Sequence, residues 1–217
     1  LVTQIEPRLL ARTGDTIGGA YGAVGLMKDR LLAGAPCDVL ILTAALIEQL
    51  ITSGDVTAGS AHALGRVRTG VAVKSDEPLP RVDSSVALKA ALLAASGIYI
   101  PDPVKSTAGI HFANVLRQLG IETEVSSRLR VFPNGATAMH EMSISPDNGL
   151  VGCTQVTEIL YTQGVQLVAT LPDEFELATV YTAAICSKAQ QPKAAAALIR
   201  LLTGPEAAAL RRSGGFE

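Results

Sequence analysis

The chain has 217 residues, of which 48% are hydrophobic, so it can bury a core as one large domain or two small ones. Its 18 basic and 20 acidic residues give a net charge of −2, and only 4% of its residues are aromatic, which argues against nucleic-acid binding. No apolar run reaches the roughly 18 residues that a membrane-spanning helix needs, so we expect no membrane insertion.

Helices and strands are predicted to alternate along the whole chain. The hydrophobic spacing predicts helices at 1–11, 26–33, 44–53 and 86–95, within 102–120, and at 136–144, 193–202 and 207–212. It predicts strands at 16–18, 38–42, 65–74, 97–100, 128–132, 150–153, 165–171 and 178–186. This alternation is typical of an α/β fold with parallel sheets.

The segment 102–120, DPVKSTAGIHFANVLRQLG, is the first candidate for a binding site. It follows an apolar strand, and Ser106 or Thr107 is predicted to cap the helix that it opens, which ends at Gly120. Helix starts carry unpaired N–H groups and partial positive charge, so small hydroxyl residues at this start favour an anion. The alternative is an ordinary capped crossover helix.

A second glycine-rich turn, GGAYGAVG at 18–25, also precedes a helix and would let backbone amides approach a ligand. It has neither the lysine of a phosphate-binding loop nor the spacing of a dinucleotide fingerprint, which argues against a nucleotide site. The three cysteines and three histidines show no metal-binding spacing. We therefore expect neither a metal nor a cofactor, and we interpret Cys37, Cys153 and Cys186 as buried apolar side chains.

Two polar breaks that contain proline, at 75–80 and 172–176, predict a division of the chain. The block between them has its own alternation of strands and helices. We therefore predict lobe 1 from residues 1–77 and 175–217, and lobe 2 from residues 78–174. Two crossings between such lobes predict a hinged cleft lined by strand ends and helix starts.

Five stretches in this order resemble a known family: GAYGAVGLMKDRLLAGAPCDVLILTAALIEQLI, VRTGVAVK, YIPDPVKSTAGIHFANVLRQLGI, GLVGCTQVTEIL and KAQQPKAAAALIRLLTGPEAAALRRSGGFE. The chain resembles the class II periplasmic substrate-binding proteins, in the molybdate-binding-like branch of ABC-transporter receptors. The resemblance implies an α/β, two-lobed periplasmic-binding-protein type II fold, with parallel-rich sheets flanked by helices and a hinged cleft.

The resemblance also implies ligand contacts from four segments. They are Tyr21, Gly22, Ala23 and Val24; Lys105, Ser106 and Thr107; Thr154, Gln155 and Glu158; and Tyr181. Molybdate receptors hold their oxyanion with serine hydroxyls and backbone amides, and the serine of the first loop has no counterpart in Gly22, Ala23 or Val24. This departure, with Lys105 added, favours a longer organic anion that carries a carboxylate.

Each of these side chains also has a purely structural interpretation. Thr154 is a candidate helix cap, and Glu158 a solvated helix residue. Tyr181 is a candidate core residue, and Lys105 a surface charge.

The function that we predict is an extracytoplasmic solute-binding protein, which holds a small anion between two lobes for ABC-type transport. Its partners would be the anion and an ABC-transporter membrane subunit. The alternative is an enzyme on the same fold, a proton-transfer isomerase of an unsaturated or keto polycarboxylate that resembles the aconitate isomerases, with Glu158, His111, Lys105 or Tyr181 as its proton-transfer groups. A third hypothesis, a ligand-sensing domain of a regulator, lacks a DNA-binding segment.

Residue 1 is Leu rather than Met, so we expect a longer precursor whose export signal has been removed. That expectation predicts a periplasmic or extracytoplasmic location. If no such signal existed, the protein would be cytoplasmic.

Overall fold

The computed structural model describes residues 1–217 and contains ten α-helices and seven strands. The helices are α1 (Val2–Thr13), α2 (Val24–Leu32), α3 (Ala44–Thr52), α4 (Ser85–Ala94), α5 (Thr107–Gln118), α6 (Glu122–Val125), α7 (Gly135–Ile144), α8 (Val156–Tyr161), α9 (Pro192–Thr203) and α10 (Ala208–Ser213). The strands are β1 (Val39–Thr43), β2 (His62–Lys74), β3 (Gly97–Pro101), β4 (Leu129–Phe132), β5 (Leu150–Gln155), β6 (Val165–Thr170) and β7 (Ala178–Ile185). The predicted α/β class is confirmed.

The chain forms two compact units, of which the first comprises Leu1–Val67 and Thr179–Glu217. In this unit β1 pairs antiparallel with β7, so that Leu40 lies opposite Ala184. Helix α1 packs on α9, and Ile5 is buried in the apolar cluster that these helices share. The second part of this unit therefore supplies both a strand and a helix to the first part.

The second unit is the continuous segment Arg68–Ala178. Strand β3 lies between β4 and β5 and is parallel to both, while β2 pairs antiparallel with β5 and β6. The predicted parallel pairing therefore holds for β3, β4 and β5, which are joined by crossover helices. It does not extend to β1, β2, β6 and β7. The predicted lobe limits of 1–77, 78–174 and 175–217 stay a prediction.

Short side-chain caps start several helices where the sequence places a small polar residue. Thr43 accepts a hydrogen bond from the Leu46 N–H at the start of α3, and Ser84 accepts one from Ala87 at the start of α4. Such caps satisfy N–H groups that have no partner within the helix. In both cases the small polar residue stands directly before the helical segment.

The strand predicted at 16–18 is not formed, and the chain between α1 and α2 has no regular structure. The N–H of Ile17 donates instead to a carboxylate oxygen of Glu6, at 2.8 Å. A side chain of α1 thus supplies the hydrogen bond that a neighbouring strand would have given.

Candidate functional site

In the second unit, the carboxyl ends of three parallel strands lie at one edge of the sheet, which we call the carboxyl edge. Strands β3, β4 and β5 end there, at Pro101, Phe132 and Gln155. Helices α5, α7 and α8 start from the same edge, and α5 packs against β5 while α7 packs against α8. Ligands of open α/β sheets bind outside the carboxyl ends of the strands.

The start of α5 presents hydroxyl groups at the carboxyl edge. Ser106 is the N-cap residue and is 8% exposed, but its side chain accepts no capping hydrogen bond from the helix. The preceding turn is fixed by Asp102, whose Oδ1 accepts from the N–H groups of Val104 and Lys105 at 2.7 and 3.0 Å. This rigid turn holds Lys105, which is exposed, directly before Ser106.

Gly109 allows α5 to approach the end of β3 closely. A Cβ atom at this position would collide with the carbonyl oxygens of Pro101 and Asp102. The absence of a side chain therefore sets how near the first turn of α5 lies to the carboxyl edge.

The start of α7 is occupied by a carboxylate of the protein itself. Glu158 accepts hydrogen bonds from the Thr154 hydroxyl and from the Ala136 N–H, the latter at 3.2 Å. The backbone amides of Gly135 and Gln155 also donate to it. The Gln155 contact is half of a capping box, because Gln155 is the N-cap residue of α8 and Glu158 lies three residues later.

Gly135 makes room for this carboxylate. A Cβ atom at Gly135 would overlap both the Thr154 hydroxyl and a carboxylate oxygen of Glu158. A negative charge at a helix start is stabilised by the helix dipole. Glu158 therefore fills the position at α7 that an external anion would otherwise take.

Burial is the largest influence on Glu158 and raises the pKa of its carboxyl above the ordinary value of 4.5, while the hydrogen bond from Thr154 acts in the opposite direction. Between 4.5 and the raised pKa, the folded protein holds more protons than the unfolded chain, so its stability falls as the pH rises through this window. We expect this slope to disappear in Glu158→Gln. Free energies of unfolding for both proteins across the window test this, and a stability that rises with pH relative to Glu158→Gln would contradict it.

The side-chain amide of Gln155 is buried and has no hydrogen-bond partner. It is 3% exposed, and neither Nε2 nor Oε1 makes a hydrogen bond within the protein. Thr69 lies directly opposite on β2, is 1% exposed, and its Oγ1 is also unpartnered. Buried polar groups are nearly always hydrogen-bonded, so this pair suits an additional polar group from a ligand or a water.

Sequence reasoning missed Thr69 because nothing near it in the chain marks it. Its place depends on the pairing of β2 with β5, which puts Thr69 opposite Gln155, 86 residues away in the sequence.

His111, a candidate for proton transfer, has its Nε2 2.7 Å from the Phe175 carbonyl oxygen, which indicates a structural role.

The other predicted site residues lie in the first unit. Tyr21, Gly22, Ala23 and Val24 lead into α2, which packs on β1. Tyr21 is 68% exposed, while Ala23 is buried. Tyr181 is half-buried on β7, opposite Thr43 at the end of β1.

Of the predicted site residues, the structure brings five to one edge of the second unit, with Lys105 beside them. These five are Ser106, Thr107, Thr154, Gln155 and Glu158.

The structure contains no group of three or more His, Cys, Asp or Glu side chains that could hold a metal ion. It also has no helix that is long and apolar enough to cross a bilayer.

Comparison with known families identifies the class of protein to which the chain belongs. The family model described as bacterial extracellular solute-binding protein matches residues 1–217, so the chain belongs to this family. This match and the structural similarities confirm the predicted resemblance, at the level of the fold, to the type II, molybdate-like periplasmic binding proteins.

Among solved structures, the periplasmic molybdate-binding protein of Azotobacter vinelandii superposes with a TM-score of 0.80. It is 18% identical, over 100% of this chain and 93% of that one. The sulfate-binding protein SubI of Mycobacterium tuberculosis gives a TM-score of 0.76 at 18% identity, over 99% and 81% of the two chains. At these identities the similarity shows the fold alone.

A curated relative is an enzyme. The aconitate isomerase of a Pseudomonas species is 27% identical over 192 residues, which cover 88% of this chain and 71% of that protein.

Proposed function

We propose that this protein is an extracytoplasmic receptor for a small organic anion bearing at least one carboxylate, and that it delivers the anion to an ABC-type transporter. Membership of the extracellular solute-binding family supports the receptor role. The relatives named for molybdate and sulfate support an anionic ligand. The relative named for aconitate isomerisation supports a carboxylate.

The observation that carries the proposal is the unpartnered Gln155 amide at the carboxyl edge, where α5 also starts. A ligand carboxylate would accept hydrogen bonds from the Ser106 hydroxyl and the first N–H groups of α5, with Lys105 adding positive charge. A second polar group of the ligand would pair with Gln155 and Thr69. Two such groups fit an extended organic acid better than a single compact oxyanion.

Glu158 adds a restriction on the ligand. Its carboxylate already uses the donors at the start of α7, so a second anion there would meet a like charge. A ligand whose far end is a hydroxyl or a protonated carboxyl would donate a hydrogen bond to Glu158 instead. We therefore expect hydroxyl-bearing or partly protonated polycarboxylates to bind better than molybdate or sulfate.

A ligand screen by melting temperature tests the proposal. We expect citrate, cis-aconitate or trans-aconitate to raise the melting temperature, and molybdate, tungstate and sulfate to raise it less, because a ligand that binds only the folded state stabilises it. Chloride at matched ionic strength is the control. A shift only with the tetrahedral oxyanions would overturn the carboxylate assignment, and no shift with any anion would overturn the proposal.

Thr154→Val is expected to weaken binding of the best ligand about tenfold without unfolding the protein. The valine keeps the shape of the buried side chain but removes the hydroxyl that orients the Glu158 carboxylate. Isothermal titration measures the affinity, and a melting curve checks the fold. Thr162→Val is the matched control, because the Thr162 hydroxyl donates to the backbone carbonyl of Glu158 at 2.7 Å and not to its carboxylate. Equal affinities in the two variants would limit Thr154 to a structural role.

A second candidate function is a proton-transfer isomerase of an unsaturated polycarboxylate. It is favoured by the aconitate isomerase relative and by Glu158, a buried carboxyl whose burial raises its pKa, as is common for groups that exchange protons with a ligand. In this reaction a base removes a proton beside a carboxylate and returns it at another carbon of the same ligand. NMR of cis-aconitate with the protein in D₂O separates the two functions: deuterium incorporation that is lost in Glu158→Gln supports the enzyme, and tight binding without exchange supports the receptor.

A further inference from the structure

Two of the three cysteines lie side by side in the first unit, although they are far apart in the sequence. Cys37 precedes β1 and Cys186 follows β7, the strand that pairs with β1. The Cys186 N–H donates to the Asp38 carbonyl oxygen at 3.1 Å, which extends the ladder of hydrogen bonds to the residue beside Cys37.

The chain bends at Asp38, and this bend explains how Cys37 reaches its neighbour. The Asp38 carboxylate accepts hydrogen bonds from the N–H groups of Gln190 and Gln191, at 2.6 and 2.9 Å. Cys37 then packs against the apolar cluster that contains Cys186. Without the bend, strand alternation would place the two side chains on opposite faces.

The two thiols interact directly. Cys186 is 2% exposed, and the neighbouring Cys186 thiol lowers the pKa of Cys37, whose own thiol donates to the Val39 carbonyl oxygen at 3.3 Å. Cys37 is only half-buried, so reagents can reach it. Cys153 is fully buried in the second unit, where burial raises its pKa well above the ordinary value. The structure thus pairs an accessible, activated thiol with a buried partner.

We propose that Cys37 and Cys186 form a disulfide when the protein meets a disulfide-bearing oxidant. The Cys37 thiolate attacks a sulfur of the oxidant, forms a mixed disulfide and releases one thiolate. Cys186 then gives its proton to that thiolate, and its own thiolate attacks the Cys37 sulfur and expels the second thiolate. The two cysteines lose two electrons and two protons in total, and the oxidant is reduced to two thiols.

The bond would join the start of β1 to the end of β7 and so tie together the two segments of the first unit. A crosslink between residues so distant in sequence constrains the unfolded chain strongly. The inference rests on the proposed function only through the extracytoplasmic location, where disulfides persist. Whether the bond forms in vitro does not depend on any ligand.

The experiment uses the full chain, reduced, freed of reductant and then incubated with oxidised glutathione. Before alkylation, we expect the intact mass to be two hydrogen atoms below that of the reduced protein. After unfolding and alkylation, we expect Cys153 alone to be alkylated and a digest to contain the Cys37–Cys186 peptide pair. We also expect the melting temperature to be about 5–10 °C higher than with reductant. Cys153→Ala is the control and should retain the bond.

Three results would overturn the inference. They are three alkylated cysteines after oxidation, a stable glutathione adduct on Cys37, and a crosslink that contains Cys153. Cys186→Ala should trap the glutathione adduct on Cys37, and digestion of the wild-type protein gives an answer even if this variant does not fold. A negative ligand screen with the crosslink present would reject the proposed function alone, and binding without the crosslink would reject this inference alone.

Discussion

Replacing Gly109 with alanine is expected to lower the free energy of unfolding by about 1–3 kcal/mol and to weaken ligand binding. The added Cβ would collide with the carbonyl oxygens of Pro101 and Asp102. These are backbone atoms at the end of β3, which cannot rotate away as a side chain would. The start of α5, with Ser106, must therefore shift from the carboxyl edge. Urea unfolding measures the stability loss, and isothermal titration measures the affinity.

Gly18→Ala is the matched control for this substitution. No atom lies within 4 Å of the position that its Cβ would take, and Gly18 is exposed. We expect its stability to stay within about 0.5 kcal/mol of the wild type. If Gly109→Ala were as stable as this control, the result would contradict the close packing of α5 against the end of β3.

Replacing Gly135 with alanine is expected to act mainly on the site. The added Cβ would overlap the Thr154 hydroxyl and the carboxylate end of Glu158, a flexible side chain that can move away. The carboxylate would then lose its donors at α7. We expect the affinity for the best ligand to fall tenfold to about a hundredfold, with a stability loss of about 1–3 kcal/mol.

Unfolding measured over a series of pH values tests whether displacement of Glu158 causes the loss of affinity in Gly135→Ala. If Gly135→Ala displaces Glu158 into water, the stability slope that we attribute to its raised pKa should shrink, as in Glu158→Gln. Unfolding curves for the three proteins provide the comparison, again with Gly18→Ala as the control. An unchanged slope together with unchanged affinity would show that Gly135 does not position Glu158.

Features that depend on a few neighbouring residues could be predicted from the sequence. The caps at Thr43 and Ser84 follow from a small polar side chain placed before a helical pattern. Ser106 was expected at the start of α5 for the same reason. The α/β order of elements follows from hydrophobic periodicity.

Features that depend on contacts between distant strands could not be predicted in this way. The burial of Thr69 beside Gln155 requires the register of β2 on β5. The contact of Glu158 with the start of α7 requires the order of β4, β3 and β5 in the sheet. The neighbouring positions of Cys37 and Cys186 require the pairing of β1 with β7 and the bend at Asp38.

The way the chain contributes to its two units has a consequence for its synthesis on the ribosome. Arg68–Ala178 is continuous, so the second unit has all its strands as soon as this segment has emerged. The first unit must wait for Thr179–Glu217, which brings the partner strand of β1 and the helix that covers α1. Domains usually fold in order from the amino terminus during translation. Here the inner segment Arg68–Ala178 can complete its fold first, while residues 1–67 remain without their partner strand and covering helix until Thr179–Glu217 has emerged.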